Sequence, residues 1–206
     1  MFLIKSKPEK EVLPIINNCK KILYIVCRGC NEVHIYVKEA VNYFEIIKNK
    51  FQTTLRILDY ICNKEFLNKY ISVLSKEINN SDAIVVFSCG VGIASISSAL
   101  SEKKVFTLCN TFYLTGYKGF NIPYEGKFDC ALCGNCYLNY TAGICPITSC
   151  SKSLLNGPCG GAKNGRCEVD KTKECGWEKI TLKLKSLNKL DILIKQIFIH
   201  NHNTQP

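Results

Sequence analysis

With 206 residues, 47% of them hydrophobic, the chain holds enough apolar surface for one full core and a smaller module. Its formal charge of +10 raises nucleic acid as a partner, but the basic residues are scattered and no aromatic-interleaved basic patch appears, so nucleic-acid binding is not expected. Residues 1–13 carry Lys5, Lys7, Glu9, Lys10 and Glu11 with no secretory apolar run, which predicts a cytoplasmic protein, and there fourteen cysteines read as metal ligands or redox thiols before disulfides.

Residues 22–26 form the first apolar run and lead to Cys27, Gly29 and Cys30. Val33, Val37, Ala40, Val41, Phe44 and Ile47 then recur at helical spacing through to Phe51. A strand is expected at 53–58, broken by 59–62, and Phe66, Tyr70, Val73, Leu74 and Ile78 mark a second helical stretch. Residues 83–87 make the clearest strand and end on Ser88-Cys89-Gly90-Val91-Gly92; a short helix to Leu100 and a fourth strand at 104–108 follow. The uncharged stretch 83–101 approaches the length of a membrane span, but its serines and glycines favour strand, turn and helix. Strand and helix in alternation predict an α/β domain over residues 1–110. It would be a small parallel sheet of flavodoxin-like or Rossmann-like order, covered on both faces.

Ligands of such sheets bind beyond the carboxyl ends of the strands. Cys27, Cys30, Cys62, Cys89 and Cys109 all follow expected strands, so the five can gather on one edge. Cys27, Cys30, Cys62 and Cys89 are candidate ligands for zinc or a further cluster. Three other readings stand beside this one: buried core cysteines, a Cys27/Cys30 dithiol couple, and a phosphate-binding turn at Gly90 and Gly92.

From about Asn110 the periodicity fades and Gly, Asn and Pro rise, so residues 111–176 read as a cysteine-rich domain stapled by metal. In Cys130-Ala-Leu-Cys133-Gly-Asn-Cys136, two successive two-residue spacings let one tight loop present three thiolates to a cubane face. Cys145, followed by Pro146, and then Cys150, Cys159, Cys167 and Cys175 bring the total to eight, which is what two [4Fe-4S] clusters require. Structural zinc at one of the sites is the alternative. The spacing leaves open which four serve which site. Residues 177–206 read as a C-terminal amphipathic helix and tail, with a stripe of Ile180, Leu184, Leu187, Leu190, Ile194 and Ile197 that packs on the chain itself or docks a partner. The tail after His200 reads as disordered.

Residues 130–177 resemble the C-terminal cysteine-rich domain of the MetV-type subunit of bacterial methylenetetrahydrofolate reductase. The resemblance rests above all on Gly143-Ile144-Cys145-Pro146-Ile147 and on Asn156-Gly157-Pro158-Cys159-Gly160-Gly161. Cys27-Arg28-Gly29-Cys30, Cys62 and Ser88-Cys89-Gly90-Val91-Gly92 resemble cysteine positions of the same family, whereas Cys19 and Cys109 match none and no third cysteine closely follows Cys30. The resemblance implies a non-catalytic, electron-transferring iron-sulfur subunit. Its partner would be a flavin-bearing TIM-barrel subunit that reduces methylenetetrahydrofolate in the methyl branch of the acetyl-CoA (Wood-Ljungdahl) pathway of anaerobes, with the electron donor left open. The residues agree: the histidines are only His34, His200 and His202, and there is no Gly-x-Gly-x-x-Gly fingerprint. The rival reading is a zinc-stapled interaction module that stabilises such a reductase without carrying electrons.

Overall fold

The structure, a computed structural model, describes residues 2–113 and 130–199; the tail expected from His200 onward lies outside them. In chain order the first half contains β1 (Phe2–Ser6), α1 (Glu9–Ile16), β2 (Lys21–Cys27), β3 (Val33–His34), α2 (Val37–Lys48), β4 (Gln52–Leu58), α3 (Lys64–Val73), α4 (Ser75–Asn80), β5 (Ala83–Phe87), α5 (Gly90–Ala99), β6 (Lys104–Thr107) and β7 (Cys109–Tyr113). Three helices follow: α6 (Pro146–Ser149), α7 (Gly176–Ser186) and α8 (Ile192–Lys195).

The apolar runs of β2 and β5 are buried almost throughout, as central strands of a parallel sheet covered on both faces must be. The sheet is wholly parallel, in the order β4-β2-β5-β6. Numbering its strands by sequence gives 2-1-3-4, the flavodoxin-like order. Its outer strand β4 carries Thr53, Thr54 and Arg56 and is only partly covered, which suits an edge. All four expected strands are present within a residue or two of their expected bounds.

A second sheet, β3-β1-β7, was not foreseen. β7 runs antiparallel to β1 along its whole length, Ser6 opposite Cys109 and Leu3 opposite Phe112. The partners lie about a hundred residues apart, so local periodicity carries no sign of the pairing. The helix expected to begin near Val33 instead begins at Val37, because Val33 pairs with Phe2 and Tyr36 is extended. The second helical stretch breaks at Leu74, and α3 starts on Asn63, whose side chain accepts from the Glu65 and Phe66 amides at 3.0 and 3.1 Å.

The C-terminal stripe is likewise two elements and not one helix. Asn188, at φ 54°, turns the chain between α7 and α8. Ile180 and Leu184 are buried, whereas Ile194 and Ile197 are 88% and 84% exposed. The buried pair joins Trp177 in a small second core with Ile144, Leu154 and Cys175 around it. Trp177 Nε1 donates to the Leu154 carbonyl at 2.9 Å, which satisfies the one polar atom of the indole. Among the described residues no helix is long and apolar enough to cross a membrane.

Candidate metal centres

The loop from Cys130 to Cys136 is braced by the unforeseen strand β7. Gly134 N donates to the Thr111 carbonyl at 2.9 Å, Cys136 N to Asn110 Oδ1 at 2.9 Å, and Gly90 N to Thr111 Oγ1 at 3.0 Å. Leu132 and Gly134 take positive φ of 51° and 72°, which turns the loop back on itself between the cysteines. Cys130, Cys133 and Cys136 thereby line one cleft with Cys145, beside Gly90 and Thr111. Burial raises the Cys130 and Cys133 thiols and pushes Cys136 up to about 12. The Leu132, Asn135 and Leu138 amides, each two residues beyond its cysteine, oppose the rise by donating to sulfur. Lys7, whose side chain is wholly buried against Glu11, lowers Cys133 and Cys136 through its charge.

The short helix α6 joins this cleft to the next, since Cys145 caps its start and Cys150 its end. Cys150, Cys159, Cys167 and Cys175 line a second cleft beside Trp177 and Glu168. Here the backbone is held by short-range bonds: Cys175 N donates to the Gly165 carbonyl at 2.8 Å and Cys167 N to the Lys173 carbonyl at 3.0 Å. Gly161 N donates to Cys159 Sγ at 3.5 Å. A hydrogen bond with Ser151, helped by the Asp170 and Val169 amides, holds the Cys167 thiol below its ordinary range. Gly176 lets α7 start hard against α6, where a Cβ would stand 2.3 Å from Ser149 Oγ.

The eight C-terminal cysteines thus fall into two sets of four, Cys130, Cys133, Cys136 and Cys145 in one and Cys150, Cys159, Cys167 and Cys175 in the other. Cys27, Cys30, Cys62 and Cys89 stand together elsewhere, at the carboxyl edge of the parallel sheet. Burial, with Cys27 and Cys30 adding, raises the Cys62 thiol, and burial pushes Cys89 up to about 12 with Cys27, Cys62 and Cys30 adding. None of the fourteen cysteines is joined in a disulfide, and Cys19 and Cys109 are buried in the main core.

Among the described residues no three His, Cys, Asp or Glu side chains form the ligand set of a single ion. The C-terminal thiols are arrayed around openings. Their donor chemistry fits a soft metal group, because thiolates prefer zinc, copper(I) and iron-sulfur centres, and the first cleft has no carboxylate in its lining. The residues that sequence reading missed are Lys7, Asn110 and Thr111. The first looks like any surface lysine, and the others act only through a strand pairing invisible in one sequence.

Fold and site together define a cysteine-rich α/β protein whose thiols lie in sets of four. Residues 109–203 match the family model described as Methylene-tetrahydrofolate reductase C terminal, which relates the cysteine-rich part of the chain to that reductase family. No curated protein and no solved structure matches.

Proposed function

We propose that the chain is the iron-sulfur subunit of a methylenetetrahydrofolate reductase complex and relays electrons to a flavin-bearing TIM-barrel subunit. The observation that carries this reading is the sorting of eight cysteines into two clefts of four, within the segment that matches the reductase family. Cys130, Cys133, Cys136 and Cys145 hold one [4Fe-4S] cluster, and Cys150, Cys159, Cys167 and Cys175 the other. Each cluster, when bound, supplies one-electron redox chemistry at a potential set by charge, solvent and hydrogen bonds to sulfur.

The chain's own residues tune and position these sites. The Leu132, Asn135 and Leu138 amides stabilise negative sulfur, and Lys7 places a buried cation beside the first set. β7 fixes the loop, and α6, about 6 Å long at 1.5 Å per residue, keeps the two sets adjacent. The exposure of Cys159 favours a second reading for the later set, a structural zinc that staples residues 150–175 without carrying electrons.

The test is made on the complex with its flavin subunit. Cys133→Ala should remove one cluster and slow reduction of the flavin by a low-potential donor, while the flavin subunit's own reaction with methyltetrahydrofolate continues. Equal rates of flavin reduction with and without that cluster would show the chain to be a structural stabiliser.

A further inference from the structure

The parallel order sets the carboxyl ends of β4, β2 and β5 side by side. Cys27 closes β2 opposite Leu58, and Val26 lies opposite Phe87, so Cys62 and Cys89 follow the two flanking strands by four and two residues. The turns there are pinned. Arg28 N donates to the Leu58 carbonyl at 2.9 Å, Arg28 Nε to Asp59 Oδ1 at 2.7 Å, and Cys30 N to the Val33 carbonyl at 3.0 Å. Gly29, at φ 99°, passes so close to the Val33 carbonyl that a Cβ would stand 2.5 Å from its oxygen. Ile61, next to Cys62, packs on Gly92 just inside α5, where a Cβ would meet its side chain at 2.9 Å.

At this junction lies Ser88. It is 1% exposed, and its Oγ is a buried side-chain oxygen with no hydrogen-bond partner among the described residues. It lies against Gly92 and Ile61: a Cβ on Gly92 would stand 2.4 Å from that oxygen and 2.9 Å from the Ile61 side chain. Buried hydroxyls are almost always satisfied, so this orphan, on the residue before Cys89, leaves room for a partner that the described chain does not supply.

We propose that Cys27, Cys30, Cys62 and Cys89 hold a third [4Fe-4S] cluster at the carboxyl edge of the parallel sheet. The Cys89-Gly90 step separates it from the cluster at Cys130, Cys133, Cys136 and Cys145. This extends, and in its iron chemistry rests on, the reading proposed above. Four thiols suit either a zinc or a cubane; the iron assigned above to the neighbouring set at Cys130 favours the cluster. The shared wall is close-packed: a Cβ on Gly90 would stand 2.8 Å from Cys130 Sγ.

The experiment compares the anaerobically purified full chain with Cys62→Ala, Cys30→Ala and Cys133→Ala, reading iron, sulfide and zinc together with the electron paramagnetic resonance of the reduced protein. Cys62→Ala and Cys30→Ala should each lose about four irons and four sulfides, and the signal they lose should differ from the one lost in Cys133→Ala. Unchanged iron in a folded Cys62→Ala or Cys30→Ala overturns the third cluster, as does loss of zinc in place of iron. If iron is lost only in Cys133→Ala, the third cluster fails and the function proposed above stands; a wild-type chain without iron defeats both. Should neither N-terminal variant fold, the wild-type chain decides: about twelve irons and twelve sulfides support the third cluster, and about eight or fewer irons overturn it.

Discussion

The parallel α/β unit and the segment from Cys145 to Cys175 are packed in different ways. In the first, β2 and β5 are buried nearly residue by residue, and Val12, Ile16, Ile47 and Ile93 close the core around them. In the second, buried aliphatic side chains are few, and the packing centres on Trp177, Ile180 and Leu184 at its border. On the reading proposed above, the cysteine-rich segment draws its stability from what its thiols bind, while the sheet does not.

Stripping the metal with a chelator under anaerobic conditions is the strongest way to break this contrast. Amides of Arg166, Cys167 and Cys175, which close the turns of the second set, should lose all measurable protection in hydrogen exchange, while those of β2 and β5 keep theirs. Equal loss in both regions would show one cooperative unit.

Core substitutions sharpen the same comparison. Ile84→Ala should cost about 2–5 kcal/mol with or without metal, and Trp177→Ala about 3–5 kcal/mol, but the latter only in the metal-loaded chain. Denaturant unfolding followed at both metal states reads the difference. A smaller, local effect is expected at the junction. In Gly90→Ala the new methyl would press on Cys130 Sγ at 2.8 Å, so the first set should lose its iron while the second keeps its own, with far-ultraviolet circular dichroism unchanged. Subtler still, Lys7→Met removes a buried cation beside Cys133 and Cys136. The midpoint potential of that centre should fall while the iron count holds; an unmoved potential would leave Lys7 a packing residue only.

The sheet was legible because its signal is local. Residues 83–87 form an unbroken apolar run ended by a glycine turn, and such a run has few other fates in a chain that alternates with helices. The cysteines after the strands were legible for the same reason, as strand ends share an edge in a parallel sheet. The β1-β7 pairing was not, because it joins Phe2 to Tyr113 across the whole α/β unit. Missing it hid the brace that Asn110 and Thr111 give to the Cys130 loop. Nor did spacing divide the eight C-terminal thiols; the division follows from α6, which carries the chain from the first cleft to the second between Cys145 and Cys150. The C-terminal stripe misled because the period continued past Asn188 while the backbone turned there.

The central claim, that these thiols hold iron-sulfur clusters, is tested most directly by counting iron, sulfide and zinc on the anaerobically purified chain. The account predicts about four irons and four sulfides for each cluster-bearing set, with the Cys130, Cys133, Cys136 and Cys145 set among them; zinc accompanied by negligible iron and sulfide would contradict it.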